Sequence, residues 1–83
     1  MQIEKYIADK ITFLCEKRDI NQYRLSQLSG LSQSSLGRII AQENLPSLIT
    51  LEKICTALGV TLSQLFVFER KNGNVFLVYS RVL

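Results

Sequence analysis

The stretch NQYRLSQLSGLSQSSLGRII, residues 21 to 40, constrains the fold more than any other part of the chain. Leu25 and Leu28 stand before Gly30, and Leu36, Ile39 and Ile40 stand after it, each set at the three- and four-residue steps of a buried helix stripe. Each helix has room for about two turns. Gly30 takes a left-handed backbone without a Cβ clash and so ends the first helix cheaply. Ser26, four residues earlier, is small enough to let the two segments approach closely. Short helices joined by so tight a turn cross at a large angle, which is helix-turn-helix spacing, and the N-terminal end of the second helix protrudes. Asn21 and Ser32 each offer a side-chain oxygen to the free N–H groups of a helix start.

The same period organises the flanks. Ile3, Ile7, Ile11, Leu14 and Cys15 predict an amphipathic first helix over about residues 2 to 18, with Glu4, Lys5, Asp9, Lys10, Glu16 and Lys17 on its other side. After the polar connection AQENLPS, Pro46 and Ser47 announce a fourth helix whose core face is Leu48, Leu51, Ile54, Cys55 and Leu58 and whose end is Gly59. Thr61 caps a last short helix that returns Leu62, Leu65 and Phe66 to the core. Beyond Phe66 the segment VFERKNGNVFLVYS carries Asn72-Gly73, a strong hairpin signal. A two-residue turn there sets Phe68 opposite Leu77 and Val67 opposite Val78.

At 83 residues and 47% hydrophobic content the chain suits a single core, so the fold expected is an all-α unit of five helices with a short C-terminal hairpin or strand. It divides into a helical domain over residues 1–66 and a hairpin over 67–83. The N-terminus is interleaved with charge and no run of about 18 apolar residues occurs, so a cytoplasmic protein is expected. Histidine is absent and no acidic cluster has ligand spacing, so neither a zinc site nor a His-based triad can be assembled, and neither an enzyme nor a cofactor is expected. Cys15 and Cys55 are far apart and fall on apolar faces, as small buried hydrophobes do. A formal net charge of +3 is compatible with an anionic partner without identifying one.

The exposed side of the third helix, Gln33, Ser34, Ser35 and Arg38, is made of amides, hydroxyls and one guanidinium, groups that read base edges in a major groove. From about Ile7 to Phe66 the chain resembles the Cro/repressor-type helix-turn-helix domain, the XRE family, and is similar to phage lambda repressor-like domains. The resemblance rests on four ordered segments, INQYRLS, LSQSSLGRI, PSLITLEKI and ALGVTLSQLF. It implies double-stranded DNA as partner and a role in transcription regulation. Gln33, Ser34, Ser35 and Arg38 are then the base-contacting set, and Asn21, Gln22, Tyr23, Ser32, Asn44, Ser47 and Thr50 the backbone-contacting set. Gln22 would touch phosphate and hold Gln33 against a base. Asn21, Ser32 and Ser47 can equally serve as helix caps.

Two departures from the family pattern stand out. An arginine late in the first helix and a glutamate in the third often pair inside such domains; here those positions are Cys15 and Ile40, so both charges are replaced together and none is left unpaired. The loop after the third helix, often basic in the family, carries Glu43 beside Gln42 and Asn44, which weakens attraction to a phosphate backbone. Useful affinity then calls for two domains on one operator, and residues 67–79 are the expected homodimer contact. The function expected is a sequence-specific DNA-binding regulator, a repressor acting as a homodimer. The alternative is an antitoxin-like or adaptor protein that grips another protein through NVFLVY.

Overall fold

Four of the helices begin on a side-chain cap, and these caps set where the chain turns. In a computed structural model of the protein, which describes residues 3–69 and 75–77, the order is α1 (Ile3–Lys17), α2 (Gln22–Ser29), α3 (Gln33–Ile40), α4 (Leu48–Leu58), α5 (Leu62–Leu65), β1 (Val67–Glu69) and β2 (Val75–Leu77). The Asn21 carboxamide oxygen accepts from the Arg24 N–H, the Ser32 hydroxyl from Ser35, the Ser47 hydroxyl from Thr50 and the Thr61 hydroxyl from Gln64. At α5 the Gln64 side chain also accepts from the Thr61 N–H at 2.8 Å, completing a capping box on a helix of a single turn.

Four of the five helices, all but α5, close on a left-handed residue. Gly30 and Gly59 lie at φ 76° and 73°, as their positions after the apolar stripes predict. Asp19 and Gln42 adopt the same conformation at φ 54° and 65° although they carry a Cβ. Both sit in a double-bonded closure. The Ile20 and Asp19 N–H groups donate to the Cys15 and Glu16 carbonyls, and those of Glu43 and Gln42 to the Arg38 and Ile39 carbonyls.

The core is one cluster drawn from all five helices: Ile7, Ile11 and Leu14 of α1, Leu25 of α2, Leu36 and Ile39 of α3, Leu51, Ile54, Cys55 and Leu58 of α4, and Leu65 of α5. Around it Ile3, Cys15, Leu62 and Phe66 are partly buried. Tyr6 joins α1 to the end of α5: its hydroxyl donates to the Leu65 carbonyl at 2.9 Å and its ring stacks on Phe66 with centroids 6.2 Å apart.

Three expected core residues are elsewhere. Leu48 is 69% exposed, because it is the first residue of α4 and overhangs the core that starts at Leu51. Leu28 is 44% exposed; α2 buries only Leu25, and a three-residue step rotates Leu28 off that line. Ile40 is partly buried but outside the cluster, since α3 commits Leu36 and Ile39 to it.

β1 and β2 pair antiparallel, as Val67 with Leu77, Phe68 with Phe76 and Glu69 with Val75. This is one residue away from the register of a two-residue Asn72-Gly73 turn, so the expected pairings of Phe68 with Leu77 and Val67 with Val78 do not form. Five residues, 70–74, separate the last pair, and connections of odd length are the other common way to close a hairpin.

Candidate nucleic-acid interface

The turn between α2 and α3 is held by hydrogen bonds at Ser26, Ser29 and Gly30. Gly30 donates to the Ser26 carbonyl at 3.0 Å, while the Ser26 hydroxyl donates to the Leu31 carbonyl at 2.7 Å. The Ser29 hydroxyl donates to the Leu25 carbonyl at 2.7 Å, and the Leu31 N–H lies 3.3 Å from that same hydroxyl. Ser26 therefore does more than leave room: it ties the end of α2 to the residue that opens the connection to α3. The angle between the two helices is fixed by hydrogen bonds as well as by packing.

Gln22, at the start of α2, reaches across to α3. Its side-chain amide donates to the backbone carbonyl of Gln33 at 3.2 Å, and the same nitrogen lies 3.5 Å from where a Cβ on Gly37 would stand. The link goes to the main chain of Gln33 and leaves that residue's own amide exposed with all its donors and acceptors. Gln33, Ser34 and Arg38 share the outer side of α3 and are exposed. Ser35 is not with them. It is partly buried, its hydroxyl accepts from Ser32 at 3.0 Å, and it lines a cavity of about 300 Å³ with Ile39, Asn44, Leu45, Pro46 and Thr50.

Of the expected backbone-contacting residues, Asn21, Ser32 and Ser47 are helix caps, and each is exposed at an N-terminus where main-chain N–H groups collect positive potential. The Ser47 hydroxyl donates to Thr50 at 3.1 Å, and Thr50 is partly buried. Asn44 is exposed on the α3–α4 connection beside Leu45, which is 58% exposed. Tyr23 is 55% exposed on α2, its hydroxyl oxygen accepting from Gln27 at 3.0 Å. Two polar residues of α2 escaped the sequence reading: Arg24 and Gln27, both exposed and joined at 3.3 Å. Their three-residue spacing on one helix was the signal available.

Other chemistry finds little material here. Among the described residues no group of three or more His, Cys, Asp and Glu side chains could hold a metal ion, and no helix is long and apolar enough to cross a membrane. Burial pushes the thiols of Cys15 and Cys55 above their ordinary range, opposed at Cys15 by Arg18. That disfavours the reactive thiolate.

The family model of the Cro/C1-type helix-turn-helix DNA-binding domain matches residues 10–71, most of the chain. The protein belongs to this family. Among solved structures the chain is similar to an HTH_3 family transcriptional regulator from Vibrio cholerae, with 32% identity and a TM-score of 0.72, covering 76% of this chain and 35% of that one. This Cro/C1-type chain thus spans about a third of the Vibrio protein's length. It is also similar to the restriction-modification controller protein C.AhdI from Aeromonas hydrophila, at 26% identity and TM-score 0.74, over 80% of this chain and 100% of that one. The prophage Lp1 protein 11 shares the fold, at 23% identity and TM-score 0.72, over 78% and 87% of the two chains. No curated protein sequence matches the chain.

Proposed function

We propose that this Cro/C1-type protein is a sequence-specific transcriptional regulator that binds operator DNA as a homodimer and represses by occupying the site. The observation that carries the reading is the outer side of α3: Gln33, Ser34 and Arg38 are exposed together on a helix whose first turn is capped by Ser32 and tethered by Gln22. Gln33 has the bidentate geometry for adenine and Arg38 that for guanine. The tether holds the main chain at the start of α3 and leaves the Gln33 and Arg38 side chains free to reach base edges. Similar domains are found in a transcriptional regulator from Vibrio cholerae and in the restriction-modification controller protein C.AhdI. The caps Asn21, Ser32 and Ser47, with Gln22, Tyr23, Asn44 and Thr50, flank that face and serve as phosphate contacts. Ser35, partly buried and accepting from the Ser32 hydroxyl, keeps its own O–H donor at the edge of the base-reading set.

Binding isotherms on a selected operator test this. Gln33→Ala and Arg38→Ala are each expected to weaken specific binding by about 1–3 kcal/mol and to relax preference at one base pair, with the fold intact. Parent-like isotherms for both variants reject α3 as the reader.

Homodimerisation is assigned to residues 67–79, because a run as apolar as Val75, Phe76, Leu77, Val78 and Tyr79 asks for more cover than a two-stranded hairpin supplies. Two recognition helices then stand about 34 Å apart on successive major grooves. Deleting everything after Arg70 is expected to give a folded monomer whose operator binding collapses. A truncated protein that still sediments as a dimer moves the contact onto the helices.

A further inference from the structure

Gly37 lies in the middle of α3, four residues after Gln33 and three after Ser34, so the helical turn sets it on the same side as both. Nothing in the fold requires a glycine there. Its backbone is ordinary, since the left-handed glycines among the described residues are Gly30 and Gly59. A Cβ at this position would meet one atom beyond its own helix, Gln22 Nε2 at 3.5 Å, which is ordinary van der Waals distance. Glycine destabilises a helix interior relative to alanine, so stability alone favours alanine at this position. Side chains on a helix lean toward its N-terminus, and the surface that a side chain at position 37 would cover is the turn bearing Gln33 and Ser34. With glycine that strip is a shallow notch, floored by Cα–H and bordered on the α2 side by the Gln22 amide.

We propose that this notch seats the C5-methyl group of a thymine, which makes the missing side chain of Gly37 a determinant of base preference. The proposal rests on the reading of α3 as the base-contacting helix and deepens it. Size, polarity and position select the occupant. The absent group is a single Cβ, and the incoming group is a single methyl. The floor of the notch is carbon, and on the major-groove edges of the bases only the thymine methyl is apolar. Gln33 and Ser34, exposed on the turn beside it, take the hydrogen-bonding edges. Gln33 has the geometry for adenine, and every adenine brings a thymine into the same groove. A side chain at position 37 would fill the notch and hold α3 away from that methyl.

The test uses the full chain and its selected operator, with each thymine of one half-site replaced in turn by deoxyuridine. The replacement removes the methyl and keeps every hydrogen-bonding group. The parent is expected to lose affinity about fourfold at one position, as the loss of one buried methyl requires. That position should lie within one base pair of the one where Gln33→Ala relaxes preference. Gly37→Ala is expected to bind the thymine operator at least fourfold more weakly and to show no preference for thymine over deoxyuridine there. Its thermal midpoint should nevertheless rise by about 4–8 °C, because alanine favours the helix. A glycine of structural role only would move the midpoint and leave the thymine preference as in the parent. The notch is overturned if Gly37→Ala keeps that preference, if its midpoint falls, or if no deoxyuridine replacement affects the parent. Gln33→Ala separates the two readings: loss of operator preference in that variant beside a parent-like Gly37→Ala sinks the notch alone. A parent that enriches no operator sinks both.

Discussion

Ile39 and Ile40 are adjacent, identical in composition and equally apolar in the sequence, yet α3 places them differently, and their truncation should show it. Ile39 is 4% exposed within the core cluster, whereas Ile40 is only partly buried and outside the cluster. Truncation to Ala removes three carbons, a transfer loss of about 2.4 kcal/mol for a fully buried side chain at about 0.8 kcal/mol each. At Ile39, 4% exposed within the core cluster, the transfer loss together with the gap left behind brings the loss into the range of about 2–5 kcal/mol. At Ile40 no closed cavity is left, only part of the transfer loss applies, and the better helix propensity of Ala returns a few tenths, leaving about 1 kcal/mol. An 83-residue domain has a total stability of roughly 4–12 kcal/mol. Ile39→Ala therefore approaches the limit of folding while Ile40→Ala does not. Urea titrations followed by circular dichroism at a common slope measure both. Equal losses, or a larger loss at Ile40, would refute the assignment of α3's buried face and with it the outward placement of Gln33 and Ser34.

Two further outcomes follow from backbone and burial. Gln42 holds a left-handed conformation at φ 65°, so Gln42→Gly should stabilise by up to about 1 kcal/mol, the relieved strain exceeding the entropy that glycine adds to the unfolded chain; a lower urea midpoint would contradict it. The thiols of Cys15 and Cys55 and the phenol of Tyr6 are all raised by burial, so the unfolded chain loses these protons first. Their contribution is then whole below roughly pH 8.5 and falls as the pH climbs, with Tyr6 adding to the fall above about pH 10. Midpoints that hold steady or rise from pH 8 to 10 would count against it, and Cys55→Ala should flatten the decline.

What the sequence foretold and what it missed divide along physical lines. The apolar period and the side-chain caps are local, and Asn21, Ser32, Ser47 and Thr61 each do at a helix start what their chemistry allows. Gly30 and Gly59 likewise stop their helices where a left-handed residue is cheapest. Asp19 and Gln42 do the same work without being glycine, held there by paired carbonyl acceptors that no local pattern reveals. Leu48 sits one helical step from Leu51 and reads as core until the position of the helix end relative to the cluster is known. The hairpin was recognisable, but Asn72-Gly73 favours a two-residue turn and the strands pair in another register. On the candidate face, residue types pointed to α3, while the direction of each hydrogen bond needed coordinates: Gln22 to the Gln33 carbonyl, the Ser32 hydroxyl to Ser35, Gln27 between Tyr23 and Arg24.

The central claim is that the outer side of α3 reads DNA sequence, and the most direct measurement is selection of bound duplexes from a random library by the full-length protein and by Gln33→Ala in parallel. The parent is expected to enrich one motif made of two related half-sites with centres about 10 base pairs apart, as a two-fold dimer on successive major grooves demands. The variant is expected to lose preference at one symmetric pair of positions and keep the spacing. Enrichment of no motif by the parent, or of an identical motif by both proteins, would contradict the account.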